Sequence, residues 1–197
     1  MKLYLTIIFI LFHSVLNAQN EYNLEKRMGL QFAQPFIFEN LPEGRDYRPQ
    51  MLLGYYTITD LLKKKKSNLY VYLEPQLVLV SFNPKTDKEI EFGANLGFEY
   101  QVPLFSEKTY FTLAIGSGPH FITVETDLQT KGYIFSDNFE AGFRQKLGKS
   151  NLDLLLKCRF RHISNADLKL PNGGIDNWFI VLGLTKKMKK EFNPPKS

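Results

Sequence analysis

The stretch Leu152–Ser164, "LDLLLKCRFRHIS", alternates between two chemistries. Leu152, Leu154, Leu156, Cys158 and Phe160 fall on one parity, and Asp153, Lys157, Arg159 and Arg161 fall on the other. Only Leu155 breaks the second set. Such a period of two is the mark of a β-strand whose two faces meet different surroundings. The run is longer than the roughly five or six residues usual in soluble sheets, and it reaches the 9–11 or so needed to cross a bilayer at a tilt.

The same rhythm extends outward from this stretch. Runs near residues 28–38, 49–58, 68–82, 88–101, 109–124, 132–146, 151–164 and 175–187 are separated by turn-forming segments such as "NPKTD" and "GKSN". In the third run Leu69, Val71 and Leu73 alternate with Tyr70, Tyr72, Glu74 and Gln76. In the fourth, Ile90, Phe92, Ala94, Leu96 and Phe98 alternate with Glu89, Glu91, Asn95 and Glu99. The sixth sets Phe139, Ala141 and Phe143 against Asn138, Glu140 and Arg144. The run at 49–58 alternates poorly. Eight runs without a long helix or an internal repeat predict one all-β domain, an eight-stranded antiparallel up-and-down barrel.

Two barrels carry this pattern. A soluble lipid-binding barrel turns its apolar face inward, whereas a transmembrane barrel turns it toward lipid. Run length favours the transmembrane form, and so does the charge balance of the inward set. There Glu74, Glu91, Glu99 and Glu140 stand ready to pair with Arg144, Lys157, Arg159 and Arg161. A small barrel has no open pore, so lumenal charges must find partners.

Composition agrees with strands rather than a helical bundle: the 197-residue chain holds 17 Phe and 10 Tyr. The net charge of +5 arises from scattered or turn-clustered lysines and arginines, not from a basic stripe interleaved with aromatics, so no nucleic-acid partner is expected. Cys158 is the only cysteine, which excludes an intramolecular disulfide and a cysteine zinc cluster. At the start, Lys2, the apolar "LYLTIIFILF" and a small residue at Ala18 predict a signal peptide over residues 1–18, leaving residues 19–197 as the exported barrel domain. The lysines at 63–66 and the tail "KKMKKEFNPPKS" are expected to be a solvated turn and a solvated end.

The stretch 161–178, "RHISNADLKLPNGGIDNW", holds the candidate chemistry. With both termini in the periplasm, the seventh run climbs outward and the 165–174 loop is extracellular. Parity then places His162, Ser164 and Asp176 on the apolar, lipid-facing side of two neighbouring strands. Polar groups are costly there unless they serve something. A Ser-His-Asp set accounts for the placement. Residues two apart on a strand share a face, so His162 can serve Ser164 as a base, and a carboxylate on the next strand can orient the imidazole. Asn172 and the backbone N–H groups after Ser164 are candidate oxyanion donors. His120, in "GSGPH", reads as structural, and Ser117 there lacks the spacing of a nucleophile elbow.

The residues His162, Ser164, Asn165, Pro171, Asn172, Gly174, Ile175 and Asp176 together resemble the signature of the PagL-type lipid A 3-O-deacylases, outer-membrane acyl hydrolases. The resemblance implies Ser164 as nucleophile, His162 as general base, Asp176 as the orienting acid, Asn172 with backbone near Ala166 and Asp167 as the oxyanion hole, and Asn165 in support. Three features differ. The acid is usually glutamate, one methylene longer than Asp176; Asp167 stands where a small residue is usual; and the chain runs on past an aromatic end through "EFNPPKS". The implied activity is serine-esterase removal of an ester-linked acyl chain from lipid A in the cell outer membrane, with no cofactor and no metal. The implied partners are lipopolysaccharide as substrate and outer-membrane lipid, with a homodimer left open. Two other readings are a non-catalytic outer-membrane barrel and the secreted soluble lipid binder.

Overall fold

A computed structural model of the chain describes residues 26–64, 67–83, 88–106 and 108–188. It contains eight strands: β1 (Arg27–Ile37), β2 (Asp46–Lys64), β3 (Ser67–Asn83), β4 (Lys88–Pro103), β5 (Thr109–Ile122), β6 (Gly132–Lys146), β7 (Leu152–Ser164) and β8 (Ile175–Lys187). Each strand pairs with the next, and β8 returns to β1, so the sheet closes into a barrel. All these pairings are antiparallel. Closure pairs the backbone groups that an edge strand would leave bare in hydrocarbon. The expected signal segment and the end of the basic tail lie outside the described residues.

The strands follow the sequence pattern closely except at β2, which extends well beyond 49–58. Its register against β3 shifts between Thr57 and Thr59 and again between Asp60 and Leu62. A bulge adds a residue to one strand and reverses its parity beyond that point. Both bulges lie at or beyond the end of the 49–58 run, where burial alternates regularly. The pattern is hidden there because the inward Met51, Leu53 and Tyr55 are as apolar as the outward Leu52. Lys63 and Lys64, expected in a turn, instead continue β2, while residues 65–66 lie outside the described residues.

The exterior wall is apolar. Leu30, Phe32, Leu79, Phe92, Phe139, Leu156 and Leu182 all point outward and are each about half exposed. The lumen buries Glu74, Glu91, Glu99, Glu140, Lys157, Arg159 and Arg161. This is the transmembrane arrangement, the reverse of a soluble lipid-binding barrel.

The lumenal charges pair largely as their parity foretells. Lys157 Nζ donates to Glu99 at 2.7 Å and to Glu140 at 2.8 Å. Arg159 bridges Glu74 at 2.6 Å and Glu140. Arg161 pairs with Glu91 and donates from Nε to Ser136 Oγ at 2.9 Å. Arg144 departs from the expectation and pairs with Asp153 at 3.1 Å, nearer the end of the barrel with the short turns. His120 is buried in this network, with its ring nitrogens 2.8 Å from Glu91 and 2.9 Å from Asn95. It is a structural histidine.

The lumen is not polar throughout. Toward the end bearing the 38–45, 123–131 and 165–174 loops it is plugged by a cluster that includes Tyr47, Met51, Val80, Phe82, Ile122, Ile134, Ile163 and Ile175. Burying these groups stabilises the barrel by about 1.5–3 kcal/mol for each large side chain. Ile163 and Ile175 are fully packed into the plug, so the wall that carries the neighbouring outward residues is held from behind.

Candidate active site

β7 ends at Ser164 and β8 begins at Ile175, with the Asn- and Gly-rich loop between them. The register sets His162 directly opposite Asp176 across these two strands. Their side chains meet on the outer face, with His162 Nδ1 2.6 Å from Asp176 Oδ1. Both remain partly open, at 37% for His162 and 53% for Asp176. The contact commits Nδ1 to the carboxylate and leaves Nε2 for a reacting group.

Ser164 lies one outward position beyond His162 on the same strand and is partly exposed. Among the described residues its hydroxyl makes no hydrogen bond, so the Ser164–His162 contact is not formed in this state. Such contacts often tighten only when substrate binds. Gly174 closes the other side of the imidazole. A Cβ on Gly174 would lie 2.5 Å from His162 Cε1, and the residue has φ of +77°. Only glycine suits both the backbone and the ring.

The loop after Ser164 is held in an unusual form. Ala166 and Asp167 have φ of 53° and 61°, a left-handed region that non-glycine residues seldom enter. Residues held there cluster at functional sites. A turn closed by Leu168 N–H donating to Asn165 C=O at 3.2 Å brings the Ala166 and Asp167 backbone N–H groups beside the strand end, and neither has a hydrogen-bond partner among the described residues. Asn165 is buried; its backbone N–H donates to Asn172 Oδ1 at 2.6 Å and its amide to Lys169 C=O at 2.5 Å.

Asn172 is placed differently from the sequence expectation. Its amide Nδ2 donates to Asp167 Oδ1 at 2.9 Å, so the expected oxyanion donor is held by a carboxylate in this state. The residue that departs from the usual small side chain is the one that holds it.

A second loop supports the first, and no motif along the chain points to it. Gly173 N–H donates to Leu128 C=O at 2.7 Å, Thr130 N–H donates to Pro171 C=O at 3.1 Å, and Gln129 bridges to Asn172. These contacts join loops more than thirty positions apart, which no local pattern records. Below the site, on the side away from the loops, an apolar groove of about 610 Å³ crosses the outer wall, lined by Leu113, Ile115, Phe139, Cys158, Phe160 and Trp178 among others. Phe160 and Trp178 pack with ring centroids 5.2 Å apart, just beneath His162 and Asp176. Among the described residues no group of His, Cys, Asp and Glu is arranged to hold a metal ion.

A family described as lipid A 3-O-deacylase (PagL) matches residues 53–185, well over half of the chain. The chain belongs to the PagL family. Among solved structures it is similar to one titled "Crystal structure of the outer membrane enzyme PagL", with a TM-score of 0.60 at 15% identity. That match covers 80% of this chain and 97% of the other. No curated protein matches the chain by sequence. The PagL family comprises outer-membrane lipid A deacylases, so the chemistry to be accounted for is ester hydrolysis, with lipid A as the substrate. The PagL match includes both β7 and β8 and the whole 165–174 loop.

Proposed function

We propose that Ser164, His162 and Asp176 form the hydrolytic device of this barrel, with Ser164 as nucleophile. The observation that carries the proposal is the 2.6 Å contact between His162 Nδ1 and Asp176 on the outer face. A lipid-facing carboxylate and imidazole have no structural need of each other there, since the interior already satisfies its own charges. Asp176 fixes the tautomer that leaves Nε2 as a base and stabilises the imidazolium that forms. One methylene is lost relative to glutamate, yet direct cross-strand register brings the shorter acid within hydrogen-bond reach.

The acyl chain of lipid A lies in the apolar groove and its ester meets Ser164. Ser164 Oγ attacks the carbonyl carbon as His162 Nε2 takes the hydroxyl proton. The oxyanion is received by the backbone N–H groups of Ala166 and Asp167, joined by Asn172 once its amide turns away from the Asp167 carboxylate. One such donor typically contributes about 3–4 kcal/mol to lowering the barrier. His162 returns the proton to the departing sugar oxygen, and water then cleaves the acyl-enzyme with the same base. The 165–174 loop is extracellular in this reading, residues 1–18 direct export, and residues 19–197 form the mature barrel. All three triad residues belong to one barrel, so a homodimer would add nothing to the chemistry.

A non-catalytic barrel is the second reading, and the Asn172–Asp167 contact favours it. A fluorophosphonate probe applied to the folded protein in detergent separates the two. Labelling that disappears in Ser164→Ala supports the enzyme. Absence of labelling in a folded wild type supports the inert barrel.

A further inference from the structure

At the end of the barrel away from the 165–174 loop, the lumen opens into a pocket of about 220 Å³. Arg27, Tyr110, Arg144, Lys146, Asp153 and Lys187 line it, and they come from β1, β5, β6, β7 and β8. Deeper in the lumen cations and carboxylates match. Glu74, Glu99 and Glu140 hold Lys157 and Arg159, and Glu91 holds Arg161. At this mouth the match ends: among the described residues that line the pocket, four are basic and only Asp153 is acidic. Arg27 and Arg144 both donate to the same oxygen of that carboxylate, Oδ2. The register also sets Arg27 directly opposite Lys187, and like charges so placed on a sheet repel.

Arg144 is the most telling member of the cluster. It is 3% exposed, and its Nε is buried without a hydrogen-bond partner among the described residues. Its guanidinium lies 4.1 Å from the centre of the Tyr110 ring, which fixes its plane against the pocket wall. Lys146 and Lys187 are exposed and stand at the rim. Burying an excess of positive charge is costly unless an anion offsets it. The pocket is smaller than the roughly 300–1,000 Å³ that a drug-sized ligand fills, so it suits a single small anionic group. Its donors converge from several strands, which favours a tetrahedral oxyanion over a planar carboxylate. Arginine forks match such oxygens in pairs.

We propose that this mouth is a binding site for a phosphate group, either free phosphate or the phosphate of an anionic lipid headgroup. Arg144 and Arg27, held in place by Asp153, form its floor, and Lys146 and Lys187 close over it from the rim. The bound group neutralises the excess charge and ties β1 and β8, the strands that close the barrel, to β6. It lies at the opposite end of the barrel from Ser164 and takes no part in ester hydrolysis.

The test titrates the full-length folded barrel with inorganic phosphate by calorimetry, in neutral detergent at fixed ionic strength, with chloride as the blank. A second arm adds phosphatidylglycerol to the same detergent and counts the lipids retained on each barrel by native mass spectrometry. Saturable binding of one phosphate group per barrel is expected. Phosphatidylglycerol retained by the wild type and lost from the variants makes a lipid headgroup the source. Phosphate bound with no lipid retained makes the free anion the source. Arg144→Gln should weaken binding by about tenfold or more, as loss of a hydrogen bond between charged groups does. Lys146→Gln, at the exposed rim, should weaken it less and decides the matter if Arg144→Gln does not fold. Absence of saturable binding in both arms overturns the proposal. So does binding that a folded Lys146→Gln protein leaves unchanged, which would put the anion elsewhere.

Discussion

Gly174→Ala is the change whose consequences follow most directly from the geometry. The added Cβ would sit 2.5 Å from His162 Cε1 and 3.2 Å from Nε2. Non-bonded carbons prefer about 3.5–4.0 Å, so the ring or the loop must yield by about 1 Å. The backbone adds its own penalty, because φ of +77° costs an L-residue about 1–2 kcal/mol. Total stability should therefore fall only modestly. Activity should fall far more, since a misplacement of about 1 Å in a reacting group can cost about a hundredfold in rate. The measurement pairs urea unfolding in lipid vesicles with the rate of ester hydrolysis in detergent. A folded Gly174→Ala protein that is as active as the wild type would refute the idea that this glycine holds the imidazole in its working position.

The remaining predictions concern the triad, its oxyanion loop and the membrane face. Ser164→Ala and His162→Ala should each abolish nearly all hydrolysis, with the double variant hardly worse, because residues that act as one unit are not additive; steady-state rates of the three proteins check this. Asp176→Asn should fold normally and lose most activity, whereas Asp176→Glu should retain it, since only the carboxylate can stabilise the imidazolium. Asp167→Gly should release the Asn172 amide, relieve a positive-φ side chain and raise kcat, read from the same assay. Leu156→Arg should impair insertion, since arginine at the midplane of a lipid face costs about 2–4 kcal/mol; folding yield into vesicles measures it.

How much of this was legible in the sequence depends on whether a feature is local to one strand. Parity along β7 and β8 was enough to put His162, Ser164 and Asp176 on one wall, and parity along β3, β4, β6 and β7 to put Glu74, Glu99, Glu140, Lys157 and Arg159 in the lumen. Register across strands was not readable. The direct opposition of Asp137 to His162 depends on how the β6–β7 hairpin closes, and the two bulges of β2 hide its true length. The apolar plug was missed because Val78, Val80 and Phe82 share parity with Glu74 and Gln76, and pattern alone does not report depth along the barrel axis. The Asn172–Asp167 contact is a matter of loop conformation, set by the left-handed residues 166 and 167 and by the neighbouring 128–130 segment.

The central claim is that Ser164 removes an ester-linked acyl chain from lipid A. Mass spectrometry of lipid A from outer membranes that contain the wild-type barrel, compared with membranes that contain an equally folded Ser164→Ala barrel, tests it most directly. Lipid A lighter by one acyl chain is expected in the wild-type membranes alone. Identical lipid A masses in the two, with both proteins folded in the membrane, would contradict it.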